Sequence, residues 1–129
     1  MESKITVDSV MRKPVWASTN DTVLSIADQM VSENIGAVII MKENVPIGII
    51  TESDIIKNVV CAHARHKDPA KTRAEHIMLS PLITIETGKS IIYALKLMRD
   101  RGIRRLVVVS PQRLLVGIIT QRRLLEALI

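Results

Sequence analysis

The chain carries one pattern twice, and that duplication limits its folds more than any single residue does. Val10-Met11-Arg12-Lys13-Pro14-Val15 is answered by Ile77-Met78-Leu79-Ser80-Pro81-Leu82. Asn34-Ile35-Gly36-Ala37-Val38-Ile39-Ile40 is answered by Gly102-Ile103-Arg104-Arg105-Leu106-Val107-Val108, and Gly48-Ile49-Ile50-Thr51 by Gly117-Ile118-Ile119-Thr120. The three matches lie 67, 68 and 69 residues apart, a drift that single-residue loop insertions produce. Residues 1–66 are read as the first repeat, 67–73 as a linker and 74–129 as the second repeat.

Each copy gives the same order of elements. Val23, Ile26, Ala27, Met30 and Val31 line one face of a helix opened by Asp21 or Thr22. Ile91, Ala94, Leu95 and Met98 repeat that face after Ser90, and Gly102 stands where the helix would stop. The β-branched runs Ala37 to Met41 and Ile47 to Thr51 flank Lys42 to Pro46. In the second copy, Leu106 to Val109 and Leu115 to Thr120 flank Ser110 to Leu114. Short strands, Val15 to Ala17 and Leu82 to Ile85, precede the first helices. Second helices follow the strand pairs, Glu52 to about His66 and Gln121 to Ile129. The fold class is α/β (α+β), two β-α-β-β-α repeats. Units of about 55 residues bury too little surface to stand alone, so the two are expected to pack through their sheets about a pseudo-two-fold axis. Equivalent loops then meet at the seam and form two related clefts.

Composition narrows the function classes. With 129 residues, 47% of them hydrophobic, the chain suffices for one compact domain and excludes a disordered tail. The longest apolar runs fall far short of the roughly 20 residues of a membrane span, and residues 1–13 lack the core of a secretion signal. A soluble, cytoplasmic protein is expected. One cysteine, Cys61, permits no internal disulfide. The net charge of +5 is uneven, since residues 1–64 hold eight acids and five bases and residues 65–129 five acids and thirteen bases. A basic half suits an anionic ligand, nucleic acid or a solvated surface.

The segment Gly48-Ile49-Ile50-Thr51-Glu52-Ser53-Asp54 runs from a strand into a helix. Thr51, Ser53 and Asp54 offer hydroxyls, a carboxylate and free N–H groups, chemistry that suits a sugar and a phosphate. The same residue types also cap helices without any ligand. The duplicated order of Met-x-x-Pro, helix, apolar strand and Gly-x-x-Thr, with x-x-Asp following in the first copy, resembles the cystathionine-β-synthase-type (CBS) domain pair, or Bateman module, from about Val10 to the end of the chain.

That resemblance implies a regulatory module that binds an adenosine nucleotide between its repeats. AMP leads, and ADP, ATP, S-adenosylmethionine and NAD are further candidates. It assigns the ribose to Asp54, with Thr51 nearby, the adenine to Leu82, Ile83 and Thr84, and the phosphates to Arg104, Arg105 and Arg122. The second cleft, with Val15, Trp16, Ala17, Gly36 and Thr120, departs from the pattern. Arg123 replaces the carboxylate, and a guanidinium cannot accept from ribose hydroxyls. One ligand site is therefore expected. Trp16 is read as filling the core or the pocket, with base stacking as the alternative. A homodimer and an unidentified regulated protein are the expected partners.

Rival readings are a nucleic-acid-binding module, opposed by the shortage of aromatics to stack on bases, and a structural dimerisation unit with no ligand. Cys61, His63, His66 and His76 match no zinc spacing, and Cys61 points about 200° around a helix from His63, so no metal is expected. No Walker-type phosphate loop is present, and the histidines cluster in or beside the linker, away from Thr51, so no catalysis is expected.

Overall fold

The computed structural model describes residues 5–60 and 67–129, and they fall into two compact units. One is continuous, Val15–Leu82. The other joins the N-terminal segment ending at Pro14 to Ile83–Ile129. The units do not coincide with the sequence repeats, because the Met-x-x-Pro segment opening each repeat folds with the other repeat.

In the continuous unit the chain runs through β1 (Trp16–Ser18), α1 (Val23–Glu33), β2 (Ala37–Lys42), β3 (Val45–Thr51) and α2 (Glu52–Ile55). A π turn, Ile56–Val60, extends α2, and a 3-10 turn, Ala74–His76, follows later. The strands lie in the order β1-β2-β3, with β1 parallel to β2 and β2 antiparallel to β3. A parallel pair needs a crossover, which α1 supplies. The second unit repeats this with a 3-10 turn at Val7–Ser9, β4 (Thr84–Glu86), α3 (Ile91–Arg101), β5 (Arg105–Val109), β6 (Leu115–Thr120) and α4 (Gln121–Leu128).

Helix boundaries follow from their caps. Thr22 Oγ1 accepts from the Ser25 N–H at 3.1 Å, and Ser90 Oγ from the Tyr93 N–H at 3.1 Å. Both helices end in a left-handed residue, Asn34 (φ 54°) and Gly102 (φ 65°), the two residue types that best tolerate that conformation. The remaining free donors of α1 reach the segment after residue 66. Val23 N–H donates to the Thr72 carbonyl at 2.8 Å and Leu24 N–H to that of Pro69 at 2.9 Å. For α3 the N-terminal arm does this work, with Ile91 N–H donating to the Ile5 carbonyl at 3.0 Å.

The two cores correspond position by position. Val23, Met30, Val38, Ile40 and Ile50 are buried in one, and Ile91, Met98, Leu106, Val108 and Ile119 in the other. Alternation along β2 and β5 turns these residues to the face their own helices cover. The first hairpin is tighter than the sequence suggests, with only Glu43 (φ 51°) and Asn44 (φ 67°) between the strands. Positive φ at both residues matches the twist of a two-residue hairpin. Pro46 sits opposite Met41, where the register shifts, so its missing N–H interrupts an already irregular ladder. Trp16 is 58% exposed and does not fill the core. Strand alternation sends its neighbour Ala17 inward instead.

Candidate functional site

The glycine and methionine motifs prove to be two halves of one contact. Leu79 lies antiparallel to β3, donating its N–H to the Ile49 carbonyl at 2.9 Å and accepting from the Ile49 N–H at 3.2 Å. This brings Met78 onto Gly48 so closely that a Cβ there would stand 2.6 Å from Sδ and 3.2 Å from the Leu79 carbonyl oxygen. Gly117 meets Met11 and Arg12 in the same way, at 2.6 and 3.1 Å. Only glycine leaves room for such an approach. Each docked segment supports the strand that leads into a candidate turn.

At the end of β3 the chain turns into α2 through a reciprocal cap. Thr51 Oγ1 accepts from the Asp54 N–H at 3.4 Å, while Asp54 Oδ2 accepts from the Thr51 N–H at 2.8 Å and from its hydroxyl at 2.9 Å. These bonds fix the Asp54 side chain at the start of the helix. Among the described residues Oδ1 accepts no hydrogen bond, so a half-buried carboxylate oxygen is held in place and ready to accept. One turn further on, Asn58 Nδ2 donates to the Asp54 carbonyl at 2.7 Å, where the π turn widens the helix. Ser53 is exposed beside them.

The continuous unit brings other candidates to this turn. Ala37 pairs with Thr51, and the Gly36 carbonyl accepts from the Glu52 N–H at 3.2 Å, so Gly36 adjoins the helix start. Val15 accepts from the Ile39 N–H at 2.9 Å and leads into Trp16 and Ala17 of β1, one strand further along the sheet. Leu82, half-buried, ends the unit.

In the second unit Arg105 pairs with Thr120, and the Arg104 carbonyl accepts from the Gln121 N–H at 2.8 Å, which gathers Arg104, Arg105, Thr120 and Arg122 at one end of β5 and α4. Arg104 and Arg122 are exposed and Arg105 is half-buried. Among the described residues none of the three forms an ion pair, so their donors are available to an anion. Ile83 packs against the core and Thr84 pairs with Val107.

Arg123 holds a contact that sequence reading missed. Its N–H donates to Thr120 Oγ1 at 3.2 Å, as in the first turn, but its Nε donates to the Val10 carbonyl at 3.2 Å. Nothing local signals a partner so distant in sequence. Cys61, His63 and His66 lie outside the described residues. His76 stands in its 3-10 turn 4.0 Å from a Glu75 carboxylate oxygen. Among the described residues no three acids, histidines or cysteines converge to hold a metal, and no helix is long and apolar enough to cross a membrane.

Comparison with known proteins agrees with this architecture. An uncharacterized protein of Methanopyrus kandleri is 40% identical over 124 residues, covering 95% of this chain and 62% of that protein, so the chain spans about three fifths of that relative's length. Among solved structures, the CBS domain pair of protein MJ0100, in complex with 5′-methylthioadenosine and S-adenosyl-L-methionine, is 26% identical with a TM-score of 0.83, covering 98% of this chain and 97% of that one. A CBS domain protein from Pyrobaculum aerophilum complexed with AMP shares the fold at 24% identity and a TM-score of 0.80, over 92% and 89% of the two chains. The family model for the CBS domain matches twice, at residues 7–61 and 74–129, and the chain therefore belongs to the CBS-domain family as a CBS domain pair.

Proposed function

We propose that this chain is a non-catalytic regulatory module that binds one adenosine ligand through the Thr51–Asp54 turn and alters its pairing with another protein. The observation that carries the reading is the reciprocal cap, which holds the Asp54 carboxylate with Oδ1 uncommitted among the described residues. A carboxylate so placed accepts from the vicinal hydroxyls of a ribose, in hydrogen bonds to a charged group worth about 1.5–3 kcal/mol. The adenosine compounds bound by the MJ0100 domain pair support the ligand class.

By family resemblance, Leu82, Ile83 and Thr84 receive the adenine, and Arg104, Arg105 and Arg122 receive phosphate. Three arginines without an acidic partner among the described residues favour AMP, ADP or ATP over S-adenosylmethionine, which has no phosphate. Binding shifts the population toward the arrangement that fits the ligand, by no more than its difference in affinity between arrangements. The module acts in the cytoplasm as a homodimer.

Thermal shift with AMP, ADP, ATP, S-adenosylmethionine and NAD, followed by calorimetric titration, tests this. The expected result is stabilisation by a phosphate-bearing adenosine compound at one site per chain, with most of the shift lost in Asp54→Ala when each protein is compared with its own unliganded form. No stabilisation by any of the five would overturn the reading.

A further inference from the structure

The second turn does not simply lack a ribose acceptor. Thr51 and Thr120 make the same first capping bond, to the N–H of the residue three positions on. The side chains at those positions then diverge. Asp54 folds back to complete its own cap, whereas the half-buried Arg123 side chain crosses to the Val10 carbonyl at 3.2 Å. Val10 belongs to the arm that the second unit takes from the beginning of the chain. A carboxylate could not make this bond, because both it and a carbonyl only accept.

We infer that Arg123 is a clasp that fastens the N-terminal arm to α4, so the second turn is committed to an internal partner and closed to a ribose. The arm is also held by Val7 N–H to the Lys89 carbonyl at 2.8 Å, by Asp8 Oδ1 accepting from the Gly88 N–H at 2.7 Å, and by the Arg12–Ile118 pair at 2.9 and 3.0 Å. Val10 sits between these ties, in the core with Leu124, the residue after Arg123. The clasp therefore fixes the carbonyl where the arm passes from its 3-10 turn to Met11 on Gly117. In the other unit the position of Val10 is taken by Ile77 and that of Arg123 by Asp54, which spends Oδ2 on the cap and leaves Oδ1 uncommitted among the described residues. The two turns have divided their tasks, one presenting a carboxylate and the other closing the fold.

Hydrogen exchange of the full chain without ligand tests the clasp independently of the proposed nucleotide site. Arg123→Met removes every donor but keeps most of the apolar stem, and Arg122→Met is the matched control. Arg123→Met is expected to speed exchange of the Met11 and Arg12 amides about tenfold relative to Val107 and Val108 in the core of the same unit, the equivalent of ~1.4 kcal/mol. Arg122→Met is expected to leave all four amides unchanged. Unchanged arm amides in Arg123→Met overturn the clasp. So does acceleration spread evenly over the arm and β5, because the whole unit would then have loosened. Failure of the nucleotide titrations leaves these outcomes intact, and the reverse also holds.

Discussion

Asp54 performs two tasks with one carboxylate, and substitutions can separate them. In Asp54→Ala the cap is lost with the acceptor, so unfolding by denaturant should show a loss of about 1 kcal/mol even without ligand. Asp54→Asn keeps an oxygen that can accept from the Thr51 N–H and hydroxyl but removes the charge. Its stability should stay near that of the wild type while calorimetry shows about tenfold weaker binding of whichever nucleotide stabilises the wild type. Equal affinity in Asp54→Asn would show that the charge does not serve the ligand. The dual role also explains what sequence could resolve here. Thr51 and Asp54 stand out as a pair because capping selects them, and for that reason their spacing alone cannot separate a cap from a binding turn. Arg123 was legible only as a missing acceptor, since its partner Val10 lies far away in sequence and is an ordinary backbone carbonyl.

At the scale of elements, the glycine and methionine motifs were visible but their connection was not. Both recur in each repeat, yet nothing in a linear pattern says that Met78 lies on Gly48 or that Met11 lies on Gly117. Helix starts were legible because Thr22 and Ser90 act locally. The first hairpin was not, because Glu43 carries no mark of its positive φ. The Met–Gly contact makes a quantitative prediction. Gly48→Ala sets a Cβ 2.9 Å from Met78 Cγ, well back along that side chain, and 3.2 Å from a carbonyl held by the Leu79–Ile49 pairing. Neither atom can retreat freely, so denaturant unfolding should show a loss of about 1–3 kcal/mol. In a Met78→Ala background the same substitution should cost less, leaving the carbonyl contact as the residue of the clash. Strict additivity of the two changes would show that Met78 is not what excludes the methyl group.

At the scale of the whole molecule, equivalent positions repeat an exposure that folding of one chain does not require. Ile56 and Leu125 are 51% and 49% exposed, and Val60 and Ile129 are exposed in the same paired way. Leu128 adds a third apolar side chain to the outer face of α4, whose Leu124 is wholly buried. The exposed Leu125, Leu128 and Ile129 offer a surface that a second copy can meet isologously, each chain presenting the same patch, and Ile56 and Val60 are exposed at the equivalent places of the other unit. Light scattering behind size exclusion should therefore show a dimer at micromolar concentration. Leu125→Glu places a charge in that patch, on a side chain already half in water, and should cost the isolated chain little stability. Its expected effect is a shift to monomer with the thermal midpoint of the monomeric fold retained and nucleotide stoichiometry still one per chain. A wild type that elutes as monomer at every concentration would remove the second copy as the occupant of this face. A Leu125→Glu variant that remains fully dimeric would place the dimer contact elsewhere.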